Sequence, residues 1–255
     1  MRPWSSIPIH DCGEPLQALP AAFWRLEPHP YAALGAPYGH AAGPFQLRSG
    51  VVERLLRAQG ILQEQEPALR LAIFDAWRPV AVQRFMVRHT VTEECHRLEL
   101  DPAPALALIE EPPRGSGLEG DGPSLAASAA HRQVVATVGR FWAPPSDDPA
   151  TPPPHSTGGA VDLTLASADG TPVEMGGAID ALEAVSEPDH YREAAGADPT
   201  GPAALWHGRR ELQQQAMVAA GFAQHPNEWW HFSHGDQLWA WQRGEDSARY
   251  GRSPS

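Results

Sequence analysis

The 255-residue chain contains no lysine; all 19 of its basic residues are arginine. That absence excludes Schiff-base and pyridoxal-phosphate chemistry, serine-lysine hydrolysis and P-loop nucleotide binding, each of which needs an amine at a fixed place. Cysteine is nearly absent too. Cys12 and Cys95 alone cannot form a disulfide framework or a cysteine-rich zinc site, and two unpaired, buried thiols are expected. No run reaches the roughly 18 apolar residues of a membrane span, and MRPWSSIPIHDCGEP lacks the basic start and apolar core of a secretory signal, so the expected compartment is the cytoplasm. Positive charge is outweighed by 31 acidic residues, for a net charge of −12. Neither nucleic acid nor an anionic membrane is therefore an expected partner.

Proline (27) and glycine (23) are abundant, which implies long, shaped connections and disfavours helical bundles and coiled coils. With 42% hydrophobic and 20% charged residues, the chain can bury a core, and residues 1–255 are expected to form a single domain. Residues 1–47, rich in Pro, Gly and aromatics, read as an irregular N-terminal arm whose Tyr31 and Tyr38 either line a pocket or pack. Val51, Leu55, Leu56 and Ile61 recur at near-helical spacing between Gly50 and Gln65. RLAIFDAWRP reads as a buried strand running into a turn at Pro79, and residues 80–97 return to helical spacing. Residues 101–128 are expected to be a flexible insertion. GGAVDLTLAS reads as a strand, PVEMGGAIDALEAV as a loop entering a helix, residues 188–202 as a polar loop, and Ala204–Ala220 as a helix capped by Gly221. NEWWHFSHGD and LWAWQ are expected to form a hairpin through His234-Gly235-Asp236.

Twelve histidines make metal binding the chemistry to examine first, since imidazole and carboxylate are the usual ligands of a catalytic zinc. The H-E-x-x-H helix and the G-x-S-x-G elbow are both missing. Two clusters qualify. His155 and Asp162 are seven apart, an odd separation that puts them on opposite faces of a straight strand, unless a bulge or turn at Gly158-Gly159 intervenes. Glu228 and His231 flank two tryptophans, with Glu228 at the mouth of a strand-like segment. The second cluster, His89, Glu93 and His96, shares one helix face at i, i+4 and i+7, in a segment full of charge and without aromatic or glycine framing. Residue type and spacing leave both open. Arg78 ends the buried strand, where its guanidinium can either aim at a developing oxyanion or pair with Asp75.

Three segments, PPPHSTGGAVDLTL, NEWWHFSH and FDAWRP, together resemble the zinc D-alanyl-D-alanine dipeptidases of the vancomycin-resistance type, within the hedgehog/DD-peptidase-like fold. The pattern of that family is Ser-x-His-x6-Asp, a later Glu-x-x-His and an upstream Asp-Ala-aromatic-Arg-Pro. The resemblance covers about residues 48–98 and 138–242 and implies an α+β fold with a central, mainly antiparallel sheet flanked by helices. It implies one Zn²⁺ per chain held by His155, Asp162 and His231, with Glu228 as base, Arg78 stabilising the oxyanion, and a small dipeptide as substrate. EMGGAID resembles a shorter family stretch whose aspartate receives the substrate ammonium, which implies that role for Asp180. Pro153 stands where the family has a serine, so a substrate-facing hydroxyl must come from Ser156 or Thr157 or be missing. The alternatives are a zinc DD-carboxypeptidase acting on longer cell-wall peptides, and a non-catalytic zinc-stabilised binding protein.

Overall fold

A computed structural model describes residues 2–39, 43–110 and 127–253. In chain order it contains β1 (Leu16–Ala18), β2 (Trp24–Arg25), α1 (Pro30–Ala33), β3 (Gln46–Arg48), α2 (Ser49–Gln65), β4 (Arg70–Asp75), α3 (Val80–Arg97) and α4 (Ala103–Glu110). There follow α5 (Ala129–Phe141), β5 (Ala160–Ala166), α6 (Arg192–Ala197), α7 (Pro202–Ala219), β6 (Ala223–Gln224), β7 (His231–Ser233) and α8 (Gln237–Arg243).

The central sheet has the order β2-β4-β5-β7-β6, with only the β2–β4 pair parallel. This is the α+β, mainly antiparallel arrangement that the sequence implies. All seven residues of β5 are buried, because helices cover the sheet. Val161, Leu163 and Leu165 enter one core with Leu71 and Ile73 of β4, Val51, Leu55 and Leu62 of α2, and Met217 of α7. Truncating Leu163 or Leu165 to alanine would cost about 2–5 kcal/mol. A second core gathers Val82, Met86 and Val91 of α3 with Ala105 of α4 and Val134, Val138 and Phe141 of α5.

Strand alternation sends Asp162 to the face opposite Val161 and Leu163. Two features of register then build a row of polar groups on that face. Asp162 pairs directly with His231 of β7. Between the pairs Ile73–Leu163 and Asp75–Asp162 the register shifts by one residue, a bulge at Phe74 that turns Asp75 onto the side of Asp162.

Several expectations are corrected. Leu56 lies on the exposed side of α2, whose buried stripe includes Val52, Ala58 and Leu62. Residues 103–110 are not part of a flexible insertion: Ala105 is buried in α4, and Leu106 and Ile109 pack on the second core. Residues 111–126 lie outside the described residues. The N-terminal arm is less irregular than expected, since β2 forms an edge of the central sheet and β1 pairs with β3. No helix follows EMGGAID, only a single 3-10 turn at Ala184–Ser186, whereas the expected loop at 188–202 contains α6. LWAWQ is helical and forms no hairpin. Asp236 caps α8 by accepting from Trp239 N at 2.8 Å, and this local cap with burial of Leu238 and Ala240 outweighs strand propensity. Both cysteines are free, Cys95 buried as expected and Cys12 exposed. Among the described residues no helix is long and apolar enough to cross a membrane.

Candidate active site

The proline run delivers the chain to a 3-10 turn, Pro154–Thr157, directly before β5. Gly158 closes it in the left-handed region at φ 73°, where an added Cβ would also collide with the Leu16 side chain. The turn resolves the odd seven-residue separation by lifting His155 off the line of the strand, back over Asp162. Its His155 Nε2 lies 3.2 Å from Asp162 Oδ2 and 3.2 Å from His231 Nδ1, and His231 Nδ1 lies 3.0 Å from Asp162 Oδ1. All three residues are buried, and they are the one set of potential ligands that converges among the described residues.

The outer hydrogen bonds fix which nitrogens face inward. His155 Nδ1 is 2.7 Å from the Ala76 carbonyl, which can only accept, so Nδ1 carries the proton and Nε2 presents its lone pair. His231 Nε2 contacts Ser233 Oγ at 3.2 Å, leaving Nδ1 for the cluster. Two imidazole nitrogens and a carboxylate, at spacings near the roughly 3.3 Å edge of a tetrahedron with 2.0–2.1 Å bonds, are a donor set that fits zinc. Burial opposes the charge of Asp162, yet the two histidines beside it hold its carboxyl well below the usual range.

Glu228 sits in the turn before β7 with Oε2 3.7 Å from His231 Nδ1. Its Oε1 is buried without a hydrogen-bond partner. Burial, reinforced by the negative charge of Asp162, pushes its carboxyl well above the ordinary range.

Arg78 follows β4 and makes the ion pair with Asp75 that its sequence position allowed. Nε donates to Asp75 Oδ2 at 2.8 Å, Nη1 to Gln83 Oε1 at 2.9 Å, and Nη2 approaches Asp162 Oδ2 at 3.2 Å. The guanidinium also lies 4.9 Å from the Tyr31 ring centre and 5.0 Å from that of Trp142. Asp75 is itself met by His29 Nε2 at 3.1 Å and Tyr38 Oη at 3.0 Å. This network leaves one Nη1 hydrogen of Arg78 uncommitted among the described residues.

Asp180 reaches the same cavity in a left-handed conformation, φ 66°, that few non-glycine residues adopt. The Tyr31 hydroxyl donates to its Oδ2 at 2.7 Å. Burial and then the charge of Asp162 push its carboxyl up to about 7. Tyr31 and Tyr38 therefore hold carboxylates; they do not form the cavity wall. Trp230 borders the cavity, whereas Trp229 does not.

Neither hydroxyl offered in place of the family serine is free. Ser156 Oγ donates to Pro153 O at 2.7 Å and Thr157 Oγ1 to Pro154 O at 2.6 Å, so both are spent within the turn. The cavity between His155, Asp162, His231, Arg78, Asp180 and Glu228 measures about 30 Å³. Larger clefts of about 510–580 Å³ include none of these six residues, although two of them share Arg2 or His225 with this cavity. His89, Glu93 and His96 do not converge: His89 stacks on Phe85, and His96 lies 3.8 Å from an exposed Glu93.

Sequence reasoning missed Arg2 and His225, both of which line the cavity. Arg2 carries no local motif, and His225 stands outside the Glu-x-x-His spacing.

Residues 126–247 match the family described as D-ala-D-ala dipeptidase. The chain is also similar to D-alanyl-D-alanine dipeptidase from Synechocystis sp., at 42% identity over 248 residues, which cover 95% of this chain and 90% of that protein. A likeness of this extent, over a chain that folds these motifs into one buried site, means that the protein belongs to the D-alanyl-D-alanine dipeptidase family.

Proposed function

We propose that this chain hydrolyses D-alanyl-D-alanine to two D-alanines, with one zinc ion held by His155, Asp162 and His231. The observation that carries the reading is a buried three-donor set beside the buried Glu228 carboxylate, whose Oε1 accepts no hydrogen bond, in a single small cavity. The substrate is taken from the name of the Synechocystis relative, D-alanyl-D-alanine dipeptidase. Zinc bound there would act as a Lewis acid and lower the pKa of water toward 7.

The remaining work falls to the chain's own residues. Glu228 takes the proton of the attacking water and passes it to the leaving amine. A carboxyl raised by burial is suited to both transfers near neutral pH. The uncommitted Nη1 hydrogen of Arg78 meets the oxyanion as the carbonyl turns tetrahedral, while Asp75 and Gln83 hold the guanidinium in place. Asp180, oriented by Tyr31, receives the free ammonium of the dipeptide.

The test is D-alanine release from D-Ala-D-Ala, with L-Ala-L-Ala and N-acetylated D-Ala-D-Ala as controls, before and after chelation. Release that stops on chelation and returns with zinc is expected. Zinc-loaded protein that releases no D-alanine overturns the reading.

A further inference from the structure

A zwitterionic dipeptide brings two charges into a buried site, and each needs a counter-charge there. Asp180 accounts for the ammonium. For the carboxylate, the cavity offers two guanidinium groups, Arg78 and Arg2. The charge of Arg78 is already balanced by Asp75 and Asp162, at 2.7 and 3.2 Å. Pro153 has neither a hydroxyl nor an N–H, and the hydroxyls of Ser156 and Thr157 are bound within their own turn. Arg2 differs from all of these. Its Nη2 is buried and has no hydrogen-bond partner among the described residues. An unpaired buried donor is costly, more so when it is charged, and such a group in a binding cavity points to a ligand.

We propose that Arg2 is the carboxylate-binding residue of this site, gripping the C-terminal carboxylate of the dipeptide opposite Asp180. The proposal rests on the dipeptidase reading and adds the second anchor of the substrate.

The segment that carries Arg2 is fastened to the body of the protein. Trp4 is 7% exposed, packed edge-on against His225 at 5.7 Å and tilted on Trp241 at 5.5 Å between ring centres. The Ile7 carbonyl accepts from Gln237 Nε2 at 2.6 Å, and the His10 and Ala248 backbones are bonded at 2.9 Å. The Arg2 guanidinium lies 5.7 Å from the Trp4 ring centre, so the charged group itself sits over an anchored aromatic. Arg2 and Glu228 line the same cavity, which places a cation beside the reacting groups; burial pulls the Arg2 pKa down while the charge of Glu228 raises it. Asp180 and Arg2 line the same cavity, so one group of each sign is available for the two ends of the dipeptide.

The experiment compares zinc-loaded wild type and Arg2→Gln on D-Ala-D-Ala and on its C-terminal amide. Loss of a charge-assisted contact should raise KM for the free acid by about 10–100-fold. The acid-to-amide ratio of kcat/KM should fall by the same factor, with partial recovery in Arg2→Lys. Equilibrium dialysis of D-Ala-D-Ala against zinc-loaded Glu228→Gln and Glu228→Gln/Arg2→Gln proteins should show the same loss of affinity without turnover. If Arg2 only tunes the charge of Glu228, both substrates lose equal factors in kcat and the affinities agree, which overturns the proposal. An unchanged ratio also overturns it. A wild type that is inactive on the dipeptide, with Glu228→Gln protein that still binds it through Arg2, overturns the dipeptidase reading alone; no binding overturns both.

Discussion

His155/Asp162/His231 and His89/Glu93/His96 are trios of the same residue types in opposite circumstances. The first is assembled from a turn and two neighbouring strands, is buried, and has its outward nitrogens occupied by Ala76 O and Ser233 Oγ. The second shares one face of α3, yet the His96 and Glu93 side chains are 59% and 64% exposed and lie 3.8 Å apart at the surface. Each exposed chain keeps rotamer freedom that ligation would remove, up to about 2 kcal/mol for glutamate. Helical spacing alone leaves that cost in place; strand register with outer hydrogen bonds has met it before any metal arrives.

Variants made in pairs, one from each region, would break or sharpen this comparison. Glu228→Gln should lower kcat for D-Ala-D-Ala by about 10²–10⁴ with zinc retained, whereas Glu93→Gln should leave kcat unchanged. Similar kinetics for the two would dissolve the contrast. Arginines come next. Arg78→Lys keeps the charge but loses the fork that spans Asp75 and Gln83, and kcat should fall about 10²–10³ with little loss of zinc. Arg97 pairs with Glu94 on the exposed face, and Arg97→Lys should have no kinetic effect. Near-normal turnover by Arg78→Lys would remove the oxyanion role. The smallest effect is expected at Asp180, where Asp180→Ala should reduce kcat/KM for D-Ala-D-Ala by about 10–100-fold and affect an N-acylated substrate much less. Equal losses on both substrates would favour a carboxypeptidase.

Much of this site is legible in the sequence because its ligands lie in two short segments. The sequence suggested a turn at Gly158-Gly159, and the 3-10 turn before β5 supplies it. It left the choice between the two trios open, because burial and outer hydrogen bonds are tertiary properties. The bulge at Phe74, which sets Asp75 beside Asp162, has no signature in LAIFDAW. Asp236 did carry a local capping signal for α8, but the aromatic alternation of LWAWQ resembles a strand and obscured it. Arg2 was illegible for a different reason: its neighbour Glu228 is more than two hundred residues away, and no periodic pattern links them.

Metal analysis of three purified chains tests the central claim most directly. One zinc per chain is expected in the wild type and in His89→Ala/His96→Ala, and essentially none in His155→Ala. Zinc retained by His155→Ala and lost from His89→Ala/His96→Ala would contradict the account and move the metal centre to α3.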